Sequence, residues 1–430
     1  MTSLTKHPRG AVTAWATYDF ANSAFTTLVV TFVFATYFTD AIAENAVSGT
    51  ALWSRAVALS QIVVALLSPW LGLLADRNGL RKQFLFLSTL LCIAASAGLY
   101  FAGPGDVLFA LVVFTVGNIA FELANVFYNA FLPELATPQR IGRISGYGWA
   151  LGYAGGLCCL LIGYFVFVAP ETPPFGLVRE TGAHVRATNL LVAAWYAVFS
   201  VPLFLILKRS LPVKPLAAGK ALQTSIHELG RTLREVRHSK DLFRLLIARL
   251  VYNDGLITLF AFGGIYATGT LGFSTEDIFL FGIALNIAAG IGAWAFGFLD
   301  DRLGGRATIL ISLAVLTLGT IIAVFTTNVE LFWAAAILGG ICAGPNQSAS
   351  RSLMGRFIPA GKENEYYGLF AFSGKATAFL GPVLLGIVTG LFNSQRAGMA
   401  IVAAFFIAGA LLLLRVNEER GMASARAYGQ

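Results

Sequence analysis

Three acids and three bases, Asp19, Glu122, Asp254, Arg249, Arg351 and Lys375, lie within or at the edge of long apolar runs. Holding one ionisable side chain at the centre of a bilayer costs at least ~2.5–3.5 kcal/mol, so each is a functional candidate. With both signs of charge present, the set can receive a carboxylate and an ammonium together. Polar residues gather around these charges. In TYDFANSAFTT, Asp19, Asn22, Ser23 and Thr26 share one helical face. Asn118, Glu122, Asn125 and Asn129 follow at i, i+4, i+7 and i+11, a single stripe. YNDG supplies Tyr252, Asn253 and Asp254; Asn346, Gln347, Ser350 and Arg351 close a later run; Lys375 stands in FSGKATAFLGP. The expected substrate-binding set is Asp19, Asn22, Glu122, Asn125, Asn253, Asp254, Gln347, Arg351 and Lys375. Lys375 is the expected partner of a ligand carboxylate, with Asp254 as its counter-ion when the site is empty. Glu122 is the first candidate for proton coupling, because burying a lone carboxylate disfavours its charge, and Asp19 is the second. Purely structural roles compete with these: Asn125 would equally tie two helices together, and Arg351 would equally mark a membrane boundary.

The elements that carry these residues are membrane spans. Of 430 residues, 57% are hydrophobic and 12% charged, against about 25% charged in a soluble domain. The mean hydropathy of +0.73 does not suit a water-exposed surface. Apolar runs fall at 12–38, 52–74, 84–102, 107–132, 145–169, 188–207, 242–267, 277–299, 307–326, 330–350, 366–391 and 397–414, each near the ~20 residues that a spanning helix needs. They are continuous rather than alternating, which excludes a β-barrel. The first run follows Lys6 and Arg9 and is too long for a cleaved signal peptide, so it is expected to remain as a span.

Basic residues set the orientation. Of the 30, Arg55, Arg179, Arg186 and Arg396 fall on one side, Arg249 and Lys375 fall inside spans, and the rest fall on the other side. Both termini are therefore expected in the cytoplasm and the number of spans is even. The net charge of +8 reports topology, not nucleic-acid binding. Cys92, Cys158, Cys159 and Cys342 lie in apolar runs without metal-ligand spacing, so neither disulfides nor a metal is expected. His7, His184, His227 and His238 lie outside the runs, and no nucleophile elbow or Walker loop is present. An enzyme, an ATP-driven pump and a cofactor are not expected; a monomer in the lipid bilayer is.

The expected organisation is a six-span bundle over 1–207, a cytoplasmic linker over 208–240 and a second six-span bundle over 241–430. In the linker, Leu222, Ile226, Leu229, Leu233 and Val236 recur at helical spacing. This reads as a surface helix at the lipid headgroups in preference to a docking site for a partner.

A short link repeats. Gly72, Asp76, Arg77, Gly79 and Arg81 of GLLADRNGLRK return, 225 positions later, as Gly297, Asp301, Arg302, Gly304 and Arg306 of GFLDDRLGGR. Two copies in equivalent links indicate an internal duplication. Glycine permits the tight reversal between spans, and the bases hold the topology.

Two six-span halves carrying G-x-x-x-D-R-x-G-x-R resemble the major facilitator superfamily. The resemblance implies an all-α fold of twelve helices in two pseudo-symmetric bundles, with spans 1, 4, 7 and 10 lining a central cavity and spans 3, 6, 9 and 12 facing lipid. It also implies a gate in which Asp76 and Asp301 cap helices of the opposite half and pair with arginines. Gly72, Gly79, Arg77, Arg81, Arg302 and Arg306 complete that expected gate. YDFANSAF, FLPELA, GRISGYGWALGYAGG, YNDGLITLFAFGGIYA, SASRSLMGRFIP and EYYGLFAFSGKATAFLGP are similar to the branch related to the vacuolar amino-acid effluxer of fungal autophagy. Arg55 departs from that branch, where an aromatic or small residue is more usual, and would snorkel to the outer surface or alter the entrance. The branch implies efflux of an amino acid or similar zwitterion by alternating access. A lipid or drug exporter and a non-transporting membrane sensor remain as alternatives. Short termini and external links without an accessible glycosylation acceptor point to a bacterial cytoplasmic membrane.

Overall fold

The structure is a computed structural model that describes residues 8, 10–207 and 221–427. Lys6, Arg9 and the basic start of the linker, Lys208 to Lys220, lie outside the described residues, as do the side chains of Leu222 and Ile226. Among the described residues, eleven helices are long and apolar enough to cross a membrane. In chain order they are Ala11–Ile42, Ala46–Asn78, Arg81–Phe101, Val107–Leu135, Ile141–Val168, Ala183–Ile206, Lys240–Leu271, Glu276–Leu303, Gly305–Phe325, Val329–Phe357 and, last, Gln395–Leu413. The run at 366–391 forms the remaining crossing in two pieces, Glu363–Ser373 and Leu380–Phe392. We number these twelve crossings as spans 1–12, the divided one being span 11.

Span 6 starts earlier than its apolar run and takes in His184, which was expected outside it. Span 1 is not uniform either. Its first part, Ala11–Ala24, is α-helical, Phe25–Phe32 widens into π turns, and the chain bends at Val33 before running on to Ile42. Wide turns of this kind free backbone groups from the regular ladder and recur at functional sites.

The division of span 11 has a local cause. Gly374 is a poor helix former. Pro382 has no amide hydrogen and suits only the first turn of a helix, which is the place it takes in Leu380–Phe392. Helix therefore stops at Ser373 and restarts at Leu380. Irregular backbone at membrane depth survives only where protein or water covers it, and here span 7 covers it.

The two halves meet through span 2 against span 11 and span 5 against span 8. Small residues make these crossings close: a β-carbon on Gly72 would stand 2.3 Å from the Asn364 carbonyl oxygen, and one on Gly146 would stand 2.4 Å from that of Ala293. Large apolar side chains are exposed on spans 3, 6, 9 and 12, for example Leu87, Leu205, Leu318 and Leu411. Spans 2, 4, 8 and 11 also present lipid-facing residues, including Leu66, Leu108, Ile291 and Leu391.

A helix over Ala221–His238 forms the second part of the linker. It packs on spans 2 and 7, and its Glu228 and Glu235 bond Arg77 (2.9 Å) and Lys362 (2.7 Å). Val236 is buried while Leu233 is exposed. The apolar stripe is thus split between protein and surroundings. The described residues end in a helix over Glu418–Ala427, where Glu418 accepts from the backbone amides of Gly305 and Arg306 and so caps span 9.

Candidate functional site: a closed face, a mid-membrane ion pair and a cavity

The face that carries both termini is closed by paired latches. The Asp76 carboxylate accepts from the Asn364 backbone amide (3.2 Å), the Asn364 side chain (2.6 Å) and the Glu365 amide (2.8 Å), capping the start of span 11. Asp301 does the same for span 5, accepting from the amides of Gly142 (2.9 Å) and Arg143 (3.2 Å) and from the Arg143 guanidinium. In each case an anion sits at the positive end of a helix belonging to the other half. Gly79 takes the left-handed conformation, φ 64°, that ends span 2; Gly304 has φ 87° at the equivalent turn. Arg81 is buried and reaches Glu134 of its own half (2.6 Å) and Glu363 of the other (3.1 Å). Arg306 donates to the Leu413 and Leu414 carbonyls, inside its own half, and Arg302 is exposed.

Nearer the membrane centre, Arg351 crosses between the halves. It bonds Asp19 (3.0 Å), Asn129 (3.2 Å) and the side chain and carbonyl of Ser145 (2.9 and 2.7 Å). Trp15, Trp149 and Tyr128 stand around its guanidinium at 4.8, 5.7 and 5.8 Å. A buried guanidinium is tolerable only when its donors and its π faces are occupied in this way.

A second ionic group joins spans 2, 4 and 11. Lys375, in the break of span 11, donates to Glu122 (2.6 Å) and to Gln61 (2.7 Å), while the Gln61 amide approaches the same Glu122 oxygen at 3.3 Å. Two expectations are corrected here. Lys375 is paired with Glu122, not with Asp254, and Glu122 is not a lone carboxylate in an apolar helix. Their side chains are 15% and 18% exposed, so the pair is shielded without being sealed. Asp19 is likewise taken up by Arg351. Helical spacing puts Glu122 on a polar stripe and the cost of buried charge singles out Lys375, but neither shows that spans 4 and 11 turn them toward each other.

Four more of the predicted residues lie beside the break. Arg249 donates to the Phe370 carbonyl (2.8 Å) and the Ser373 hydroxyl (3.2 Å), with its guanidinium 3.6 Å over the Phe370 ring. Asn253 donates to the Gly374 carbonyl (2.8 Å), and Gln347 reaches Asn253 at 3.5 Å. Asp254 accepts from Thr377 at 3.3 Å. Asn22 pairs with Asn125 at 3.2 Å, beside Ser23.

A cavity of about 480 Å³ lies between the halves on the face away from the termini. Ser23, Thr26, Thr31, Trp149, Phe260 and Phe332 are among its lining residues, drawn from spans 1, 5, 7 and 10, with others from spans 8, 9 and 12. None of the nine expected substrate-binding residues is among them. The nearest link is Ser23 at the wall, hydrogen-bonded to Asn22 behind it.

A sequence profile of the vacuole effluxer Atg22-like family matches residues 41–426. The chain belongs to that family. This Atg22-like chain is 28% identical over 409 residues to the uncharacterized MFS-type transporter YxiO of Bacillus subtilis (strain 168), covering 94% of each protein. It is 28% identical over 310 residues to autophagy-related protein 22-1 of Penicillium rubens, covering 67% of this chain and 51% of the fungal protein, about half that relative's length. Among solved structures it resembles the human organic anion transporter MFSD10 (TETRAN), with a TM-score of 0.74 at 14% identity over 94% and 99% of the two chains. It also resembles the outward conformation of the MFS transporter FucP, with a TM-score of 0.73 at 14% identity over 94% and 98%. The fold is the twelve-helix major facilitator fold, and the protein is a multi-pass MFS-type membrane transporter rather than an enzyme.

Several contributors in this Atg22-like transporter escaped the sequence reading. Asp300, beside Asp301, is 1% exposed and binds Arg356 at 2.6 Å and the Ser352 hydroxyl. The acid doublet in GFLDDR was its only signal. Gln61 has none, being a lone amide in a long apolar helix. Trp15 and Trp149 read as ordinary aromatics until Arg351 lies between them.

Proposed function

We propose that the protein exports a small zwitterion, an amino acid or a close analogue, by alternating access. The observation that carries this reading is the Glu122–Lys375 pair. It bridges the halves at mid-membrane and offers one anion and one cation, the two groups that a cargo ammonium and carboxylate would engage in place of each other. Closure on the face that carries the termini and a cavity on the other make one end of an alternating cycle. The bias of basic residues assigns the closed face to the cytoplasm, and the length match to a bacterial relative supports a bacterial cytoplasmic membrane. Efflux is the direction named in the family description, where the compartment that is emptied is a vacuole.

A second reading, export of a lipid or greasy drug, is favoured by one observation: among the described residues, no acid or base lines the cavity. Vesicles containing purified protein, loaded with either a tritiated amino-acid mixture or a fluorescent lipid, separate the two. Amino-acid flux that falls with Lys375→Ala and Glu122→Gln supports the zwitterion. Lipid flux indifferent to both substitutions would replace that reading with the second.

A further inference from the structure

Of the three acids near mid-membrane, two are neutralised by a base and one is not. Asp19 meets Arg351 and Glu122 meets Lys375. Among the described residues, no Lys or Arg nitrogen lies within 4.0 Å of Asp254, which is 1% exposed. One of its oxygens takes the Thr377 hydroxyl at 3.3 Å, and the other is buried with no hydrogen-bond partner.

The bases around it are committed elsewhere. Arg249, on the same span, is held by the Phe370 carbonyl and the Ser373 hydroxyl under its contact with the Phe370 ring. Lys375, in the facing break, is held by Glu122 and Gln61. From span 10, Arg351 is held by Asp19, Asn129 and Ser145, and Ser350 takes the Tyr252 hydroxyl. From span 12, Phe405 and Phe406 pack against the neighbouring Gly255 and bring no charge. A buried carboxylate in such surroundings is far cheaper as the neutral acid than as the anion.

The cover over Asp254 is movable. Thr377 belongs to the irregular stretch between Ser373 and Leu380, and the helix leading into that stretch is the one held to the opposite half by Asp76 and Arg81. Opening the closed face must release those latches, and with them the start of span 11.

We propose that Asp254 is the proton-carrying acid of the transport cycle. It holds a proton in the conformation seen here, with the cavity face open, and gives it up when span 11 moves. Coupled to the export reading above, this makes the protein an antiporter, one proton entering for each cargo molecule that leaves. The coupling role passes from Glu122 and Asp19, whose charges are already balanced, to an acid whose charge is not.

The test reads conformation, so it does not depend on knowing the cargo. Spin labels on Glu44→Cys and Glu276→Cys, one in each half and both exposed on the cavity face, report by pulsed electron resonance how far that face is open. In a Cys158→Ser background in lipid nanodiscs, the ratio of open to closed populations is followed from about pH 5.5 to 8.5. One linked proton changes that ratio by at most about tenfold per pH unit.

The expected result is a ratio that falls as pH rises in the parent protein and that changes less than about twofold in Asp254→Asn. Asp254→Glu keeps the slope and moves its midpoint. It also decides the matter if Asp254→Asn fails to give monodisperse protein. A parent-like slope in Asp254→Asn, an unmoved midpoint in Asp254→Glu, or a parent protein with no slope would overturn the assignment. Failure of the export reading shows separately, as absence of tritiated amino-acid flux from parent vesicles whose pH-dependent distances are intact.

Discussion

Replacing Asp76 by Ala should open the closed face without unfolding either half. In the closed state Asp76 is 7% exposed and accepts three hydrogen bonds at the start of span 11, two of them from backbone amides. A hydrogen bond to a charged acceptor contributes ~1.5–3 kcal/mol, and the charge adds ~0.3–1 kcal/mol at a helix terminus. The freed amides regain water once the face opens, so the three bonds act together as roughly 2–3 kcal/mol rather than as their sum. At 1.4 kcal/mol for each factor of ten, the closed-to-open ratio falls by about 30–150-fold. Spin labels on Thr137→Cys and Ala360→Cys, exposed on that face in opposite halves, read the ratio directly. Asp301→Ala removes the matching cap on span 5. Because the two caps sit at separate crossings, the double variant should show the product of the single effects. A closed-to-open ratio that moves less than about twofold in Asp76→Ala would refute the claim that this cap holds the face shut.

Four further outcomes follow from the same geometry. Reversing one member of the mid-membrane pair, Glu122→Lys or Lys375→Glu, leaves like charges face to face at a cost of ~3–5 kcal/mol, seen as lost monodisperse protein; the double swap should restore it, and a swap no better than either single would separate the two residues. A β-carbon on Gly374 would stand 2.3 Å from Arg249 Nη1, so Gly374→Val should displace Arg249 from the Phe370 carbonyl and cost ~1–3 kcal/mol in thermal unfolding. An unchanged melting temperature would contradict the packing of span 7 on the break. Gly263 lines the cavity and has open space where a β-carbon would go; Gly263→Trp should block amino-acid flux while leaving the melting temperature in place, and parent-like flux would show that cargo does not pass there. Arg351→Lys keeps the charge but loses the planar fork and ring contacts, so it should weaken closure in the Thr137/Ala360 distance assay while Asp19 remains buried.

How much of this was legible in one dimension differs residue by residue. Asp76 and Asp301 stood out because their motif occurs twice, and their capping of opposite halves required only that a duplicated bundle fold on itself. Glu122 and Lys375 stood out because charge in an apolar run is costly. Their partnership was not legible: they are 253 positions apart, and a helix can rotate about its axis with no change in its apolar content. Gly374 and Pro382 mark the break in span 11 in the sequence, but membrane helices often contain both residues without dividing. The cavity could not be read at all, because Thr26, Trp149 and Phe260 come from three spans with no shared motif.

The sequence by itself determined how many times the chain crosses the membrane, which residues are expensive there, that the halves are copies, and which end of each span carries the bases. These follow from local quantities: transfer cost per residue, helical period and charge beside each run. Only the tertiary structure decided which charges neutralise one another, that Asp254 is left without a base, and that the halves close on the termini and part on the opposite face. Those outcomes depend on how twelve helices rotate and tilt against each other. That arrangement is set by side-chain packing across crossings such as Gly72 on Asn364, which joins residues almost three hundred positions apart.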